Sequence, residues 1–283
     1  MKYMTKEWYE TAQKTSFHLF LKVSKKAESF SEDYFKQLYK RKEKEWLDVR
    51  KAVSEVPFED IFPEEFHAEY FDGTPIEKSI FEEMEKDYFE RREQARINFQ
   101  NIPAFDAALE KKNFHQSFLD HIKRLRENLP ESILQKVADI RVLALDFASR
   151  EIKQEITQFC KQNGKMCESA MTGYQKQYEK QFKSGIPDFA EELQLHDCIL
   201  LSCRKKGKDI VLTLDNSGSF TNISEIRMKN SIVLTQDSPL HGAWCLYTEI
   251  YPVDNRYEIH FLLLRNKLID FIVSTDGLEY RYD

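Results

Sequence analysis

The sequence predicts an α+β protein with a helical N-terminal body followed by a mostly antiparallel C-terminal β-sheet. Up to about residue 190, apolar residues recur at the three- and four-residue spacing of amphipathic helices. Beyond it, short runs rich in Val, Ile, Leu, Tyr and Phe are separated by turn residues. Because no Gly/Ser linker joins the two parts, we expect a helical domain over 1–190 and a β-sheet domain over 191–283 packed on it.

The helices are predicted from capping residues and from the breaks between apolar runs. Ser31 can cap exposed backbone N–H groups, and Thr74-Pro75-Ile76-Glu77 is a strong helix start. Pro130 is expected to begin one long helix that ends at Gly164. That helix should bury Ile133, Val137, Ile140, Ala144, Phe147 and Ile156. The other helices begin near Thr5, after Ser31, at Thr74 and near Asn113, and a last one covers about 165–183.

The β-sheet part contains one hairpin whose register follows from its turn. Asp254-Asn255 is a two-residue turn, which pairs Val253 with Arg256 and places Glu249 opposite His260. A carboxylate beside an imidazole favours the protonated ring, so a contact between these two side chains would raise the pKa of His260. We expect this polar cluster to order the sheet or to bind a partner. The candidate binding residues are Trp244, Tyr247, Glu249, Tyr251 and His260. The predicted strands are 198–203, 209–215, 232–236, 243–251, 257–264, 268–274 and 278–282.

Composition excludes several classes of protein. Charged residues make up 32% of the chain with a net charge of -6, which argues against nucleic acid as a partner. No run approaches the roughly 20 apolar residues that a membrane span needs, and the N-terminus carries no apolar signal segment. The five cysteines lack the paired spacing of a disulfide framework or a zinc ribbon, which fits a reducing cytoplasm. The sequence carries no signal for an oligomeric state.

Two short patterns are candidates for chemistry, and neither is complete. Glu64, His67 and Glu69 could supply metal ligands from one side of a helical turn, but no second Glu-x-x-His pair exists. Asp120-His121 could be acid–base machinery, although an exposed helix face is the favoured interpretation. No phosphate loop, nucleophile elbow or His-Glu-x-x-His motif occurs, so the sequence predicts no catalytic residue and no cofactor.

Residues 55–87 form the most acidic stretch of the chain, with twelve Asp and Glu residues against Lys78 and Lys86. Such a charge accelerates association with a basic partner without a catalytic centre, although it is also typical of solvated helix faces. We therefore expect a non-enzymatic protein-binding module whose partner would be a basic protein, such as a nuclease-like toxin. The alternative function is a metal-dependent hydrolase that uses the carboxylate and histidine ligands above.

The opening segment 1–9, MKYMTKEWY, and segment 137–145, VADIRVLAL, resemble an uncharacterised family of Gram-positive bacterial proteins known only as a domain of unknown function. The resemblance extends over nearly the whole chain. It implies a bacterial cytoplasmic context and no activity, catalytic residue or cofactor. Segments 244–251, WCLYTEIY, and 257–260, YEIH, are similar to small sheet domains of bacterial immunity-type proteins.

Overall fold

A computed structural model describes residues 1–66, 78–183 and 185–282. Contacts between Cα atoms divide the chain into two compact units, one formed by residues 20–153 and the other by residues 1–19 together with 154–283. The division of the chain into domains at residue 190 stays a prediction. Helices dominate before residue 190 and an antiparallel β-sheet follows it, which confirms the α+β class.

The unit formed by residues 20–153 is mostly helical. Phe35 stacks on Phe118 and Trp46 contacts Phe114, each with 6.0 Å between ring centroids. The two helices that carry these rings, α2 (Glu32–Ser54) and α5 (Ala107–Asn128), therefore run antiparallel. The Ser31 hydroxyl caps α2 as predicted, whereas α5 begins earlier than predicted because the Asp106 carboxylate caps it. Strands β1 and β2 pair in parallel. The elements are β1 Lys22–Val23, a 3-10 turn Lys25–Ala27, α2 Glu32–Ser54, α3 Phe58–Ile61, α4 Lys78–Gln100, α5 Ala107–Asn128, α6 Glu131–Leu134, α7 Ile140–Leu143 and β2 Phe147–Ala148.

The prediction of one long helix from Pro130 to Gly164 is wrong, because several shorter elements and the start of α8 occupy this range. The Asp139 carboxylate caps α7 at the backbone N–H of Arg141, and Asp146 takes a left-handed φ of 68° that ends the helical path. A new helix, α8, then runs over Arg150–Gln181 and passes through Gly164 without stopping. The residues expected on one buried face lie in four different elements and their connections, and Val137, Ile140 and Phe147 are only half-buried. The proposed start at Thr74-Pro75-Ile76-Glu77 lies outside the described residues.

The other unit contains α1 Lys6–Ala12, most of α8, α9 Asp188–Glu191 and an eight-stranded antiparallel sheet. The strands follow the order β10-β5-β4-β3-β7-β8-β9-β6. All seven predicted strands are present, two of them (209–215 and 232–236) with the predicted ends and five with ends that differ by up to three residues, and Ile223–Lys229 is an additional strand. The strands are β3 Ile199–Lys206, β4 Asp209–Asp215, β5 Ile223–Lys229, β6 Ile232–Gln236, β7 Ala243–Val253, β8 Arg256–Leu264, β9 Leu268–Thr275 and β10 Gly277–Tyr282.

The main core of this unit is built from alternate apolar residues of the strands. Leu212, Ile226, Ile259, Phe261 and Phe271 are each at most 1% exposed and belong to one continuous cluster. A smaller cluster contains Met4, Trp8 and Cys167. Across the part of the chain that the structure describes, no helix has the length and apolar character needed to cross a membrane.

Candidate functional site

The β7–β8 hairpin has the predicted register. Val253 pairs with Arg256, and Glu249 pairs with His260 across the two strands. The predicted pairing of Glu249 with His260 is therefore confirmed. A bulge between Cys245 and Tyr247 interrupts the alternation of β7. Trp244, on the other side of this bulge, is 48% exposed.

Glu249 is fully buried and binds the N-terminal segment of its own chain. One carboxylate oxygen accepts hydrogen bonds from the backbone N–H groups of Tyr3 at 3.0 Å and Met4 at 2.6 Å. The other accepts from the N–H of Lys2 at 2.7 Å and from the Tyr251 hydroxyl at 2.7 Å. Four charge-assisted hydrogen bonds saturate the carboxylate, so Glu249 anchors residues 2–4 on the sheet.

The two tyrosines of the predicted cluster contact aromatic side chains of helices α1 and α8. The ring of Tyr247 meets Trp8 edge-on at 4.9 Å, and Tyr251 lies 6.1 Å from Tyr174 of α8. Burial first, and then the hydrogen bond to Glu249, raise the pKa of Tyr251 far above its usual range. These side chains are thus engaged within the chain, and a role for them in binding a partner stays a prediction.

His260 is 4% exposed and is hydrogen-bonded to Glu258 rather than to Glu249, with 3.2 Å between Nε2 and the Glu258 carboxylate. Burial lowers the pKa of His260, and the nearby carboxylates only partly oppose this shift. The rise in pKa expected from a contact with Glu249 does not occur, because the cost of burying the charged ring outweighs the attraction of the carboxylates. Nδ1 has no hydrogen-bond partner among the described residues.

The predicted metal ligands are only partly described. Glu64 is exposed to solvent, whereas His67 and Glu69 lie outside the described residues. Within the described ranges, no group of three or more His, Cys, Asp or Glu side chains is arranged to hold a metal ion.

The acidic stretch presents exposed carboxylates on two packed segments. Phe66 contacts Phe81 and Tyr88 of α4 at 5.4 and 5.3 Å, and the Tyr88 hydroxyl donates to the carbonyl of Pro63 at 2.8 Å. Some carboxylates of this region are paired with a neighbouring Lys or Arg, as in the Lys78–Glu82 and Arg91–Asp87 pairs. Four others are exposed and form no ion pair with a described residue, and we call them the acidic surface: Glu59, Asp60, Glu64 and Glu83.

The helical unit contains a groove between α2 and α5 with a volume of about 920 Å³. Residues of α2, of α5 and of the segment 144–146 line it. Asp146 is fixed there by its carbonyl, which accepts from the N–H of Lys22 at 2.8 Å, and by an ion pair with Lys42 at 3.1 Å. We call this cavity the α2–α5 groove. Its lining includes Lys42, Glu45, Trp46, Val49, Arg50, Val53, Phe114, Ser117, Phe118, Asp120, His121, Arg124, Leu145 and Asp146.

His121 is a half-buried titratable group of this groove. Its Nδ1 lies 3.0 Å from the carbonyl oxygen of Ala144, and because a carbonyl only accepts, Nδ1 carries the proton of the neutral ring. Nε2 is then an acceptor or a base, and it has no hydrogen-bond partner among the described residues. Burial, followed by the charge of Arg124, lowers the pKa of His121 despite the opposing effects of Ala144 and Asp146. The ring is therefore neutral at pH 7.

The exposed-face interpretation of Asp120-His121 is correct for Asp120 only. Asp120 is exposed and accepts from the Gln116 amide at 2.9 Å, whereas His121 is half-buried against Ala144. His115 lies outside the groove lining and is hydrogen-bonded to the Tyr39 hydroxyl at 2.9 Å. The sequence signal available for the groove was the polar pair itself, and the segment 144–146 that completes the site was hidden inside the predicted long helix.

Comparisons with known proteins place the chain in a family without giving it an activity. No curated protein matches the sequence. No solved structure matches it either. The family model described as "Protein of unknown function (DUF4085)" matches residues 106–267, more than half of the 283 residues. The match contains α5, part of the α2–α5 groove, and the β7–β8 hairpin. The chain belongs to this family of proteins of unknown function, DUF4085.

Proposed function

We propose that this chain is a non-enzymatic binding module for a basic protein, which it engages through the acidic surface. The observation that carries this proposal is the exposure of Glu59, Asp60, Glu64 and Glu83 without ion-pair partners among the described residues. Carboxylates without an ion-pair partner in the chain make the electrostatic potential at this surface negative, and a negative potential attracts a basic partner.

Apolar side chains beside these carboxylates support contact after the initial attraction. Ile80 and Met84 are 49% and 43% exposed and lie one turn apart on α4, next to Glu83. Ile61, 48% exposed, follows Asp60 in the chain. Mixed acidic and apolar surfaces suit an amphipathic segment with basic and apolar faces, because charges align the segment while apolar contacts slow its dissociation.

The proposed setting is a bacterial cytoplasm, with neither nucleic acid nor membrane as a partner. The five cysteines are all free thiols, and only Cys203 is exposed, which fits a reducing compartment. A nuclease-like toxin is one basic partner of the kind proposed, in keeping with the likeness of the sheet segments to immunity-type proteins.

The test is a fluorescence titration with a labelled amphipathic peptide whose polar face carries Lys and Arg. The quadruple variant Glu59→Gln, Asp60→Asn, Glu64→Gln, Glu83→Gln should bind at least about fourfold more weakly, since four exposed pairs of about 0.2–1 kcal/mol each contribute about 0.8–4 kcal/mol. Binding by the parent should also weaken between about 0.05 M and about 0.3 M salt.

A matched control changes the net charge by the same amount elsewhere. Four exposed carboxylates outside the acidic surface are replaced together: Glu10→Gln, Glu28→Gln, Asp48→Asn and Glu168→Gln. The proposal requires this control to keep most of the parent affinity, and equal losses in both quadruple variants would reduce the effect to net charge alone. Binding of a peptide with Glu in place of Lys and Arg would also contradict it.

The alternative function, a metal-dependent hydrolase, depends on Glu64, His67 and Glu69. Elemental analysis of the untagged protein decides it, because a hydrolase of this kind requires a bound transition metal that is lost in Glu64→Ala and His67→Ala.

A further inference from the structure

The α2–α5 groove has an apolar end and a polar end. At the apolar end Val49 and Val53 are both 62% exposed, beside the rings of Trp46 and Phe114. The Trp46 indole is held in place by a 2.9 Å hydrogen bond from Nε1 to Glu110 and by Arg50, whose guanidinium lies 4.6 Å from the ring centroid. A rigid aromatic wall with solvent-exposed valines favours a ligand with a flat apolar body.

The charged side chains of the groove compensate one another. Lys42, Arg50 and Arg124 contribute three positive charges, and Glu45, Asp120 and Asp146 contribute three negative charges. Lys42 is paired with Asp146 at 3.1 Å, and Arg50 is paired with Glu110 of α5 at 3.6 Å. An anionic or cationic ligand would therefore have to compete with existing pairs, and an uncharged ligand would not.

At the polar end the ring of His121 is fixed as a hydrogen-bond acceptor. The 3.0 Å contact between Nδ1 and the Ala144 carbonyl sets the tautomer and the ring orientation, and Nε2 is left without a partner among the described residues. A half-buried acceptor gains from a ligand donor, because water competes less well for a hydrogen bond in a partly enclosed site.

We propose that the α2–α5 groove binds an uncharged aromatic molecule whose ring N–H or O–H group donates a hydrogen bond to Nε2 of His121. The donor group lies beside segment 144–146, and the apolar body of the ligand extends along the groove from there toward the ring of Trp46. This site is independent of the acidic surface, so the failure of either proposal leaves the other unaffected.

The test uses indole as the probe and 1-methylindole, which lacks the N–H donor, as its matched control. Protein labelled with 5-fluorotryptophan gives fluorine signals from Trp8, Trp46 and Trp244, and the Trp46→Phe variant assigns the signal of the groove. Indole should shift the Trp46 signal in a saturable manner. 1-Methylindole should bind about fivefold to tenfold more weakly, which is the value of one hydrogen bond.

Variants separate the acceptor from the fold. His121→Asn can keep a donor toward the Ala144 carbonyl while it removes the acceptor at the Nε2 position, so it should bind indole and 1-methylindole with equal affinity. His115→Asn is the control, because it lies on the same helix outside the groove lining and should retain the preference for indole. Thermal unfolding of each variant verifies that the helical unit remains folded.

The pH dependence gives a further readout. Protonation of Nε2 removes the acceptor, so indole affinity should be constant from pH 8 to 7 and fall below about pH 6.5, whereas 1-methylindole affinity should not. The other charged groups near His121 in the groove are Arg124 and Asp146, which act on its ring, together with Asp120 and Lys42; the 1-methylindole control reports any effect that they have on binding in general. Equal affinities for the two probes in the parent, or no shift of the Trp46 signal, would overturn the proposal.

Discussion

Replacing each of the two glycines within α8 by alanine tests the continuity of this helix. Gly164 and Gly173 both have helical backbones, yet their surroundings differ. A Cβ atom at residue 164 would have no neighbour within 4 Å, whereas a Cβ atom at residue 173 would lie 2.9 Å from Cε1 of Tyr3. The same substitution in the same helix therefore isolates the effect of packing.

The expected magnitudes follow from these distances. Alanine is favoured over glycine in a helix interior by about 0.5–1 kcal/mol, so Gly164→Ala should stabilise the protein by that amount. For a chain of this size, the midpoint of thermal unfolding should rise by about 1–4 °C. Gly173→Ala gains the same propensity but forces the Tyr3 ring to move, and overpacking costs about 1–3 kcal/mol. The Tyr3 backbone is tied to Glu249 at 3.0 Å, which limits how far the ring can retreat.

Urea unfolding followed by circular dichroism measures both variants against the parent. The sequence alone favoured Gly164 as a helix stop, where a left-handed backbone would make alanine cost about 1–2 kcal/mol. The two interpretations thus predict opposite signs for Gly164→Ala. A lower unfolding free energy for this variant would refute the continuous helix, and equal effects at both glycines would refute the role assigned to Tyr3.

Three further predictions concern Glu249, the five cysteines, and the histidines His121 and His260. Glu249→Gln should destabilise the protein by about 2–4 kcal/mol, because the amide cannot accept all four hydrogen bonds. It should also accelerate amide hydrogen exchange at residues 2–4. The control Glu258→Gln, on the neighbouring strand, should cost less than about 1 kcal/mol. A thiol reagent should label Cys203 in the native protein and the other four cysteines only after unfolding, so rapid native labelling of Cys245, which is fully buried, would contradict the packing of the sheet. His121 and His260 have folded pKa values below the ordinary 6.5, so the unfolded chain binds more protons and stability should decrease as the pH falls from 7 toward 5. Calorimetry of the double His→Gln variant should show a smaller decrease over that range, and an unchanged slope would count against the burial of the two rings.

The sequence predicted the sheet best where local chemistry determined the register. The Asp254-Asn255 turn fixes the pairing of β7 with β8, and Asp254 takes the left-handed φ of 54° that such a turn requires. Strand β5 was missed because Ser224, Glu225 and Arg227 dilute its apolar pattern. Its apolar residues, Ile223, Ile226 and Met228, are each at most 1% exposed, so tertiary packing outweighs the weak local signal.

The segment around residues 135–149 shows where helical periodicity misleads. Its apolar residues fit a continuous helix, but Asp139 and Asp146 interrupt the backbone through a side-chain cap and a left-handed residue. Both interruptions are stabilised by residues far away in the sequence. The Asp139 carboxylate receives a bidentate hydrogen bond from Arg141, which also reaches Glu32 at 2.9 Å. Asp146 is held by the N–H of Lys22 and by the ion pair with Lys42. Contacts so remote in the sequence are not visible in the local pattern.

The same limit applies to the candidate sites, and the satisfaction of hydrogen bonds distinguishes architecture from binding. Glu249 appeared in the sequence as a binding residue, but its two oxygens accept four hydrogen bonds from the chain itself and have no further capacity. His121 appeared as part of an exposed helix face, but Nδ1 is engaged and Nε2 has no partner among the described residues. A buried polar group with every bond made stabilises the fold, whereas a fixed acceptor in a groove retains a bond for a ligand. By this criterion His121 in the α2–α5 groove, rather than Glu249, is the residue that keeps a hydrogen bond for a ligand.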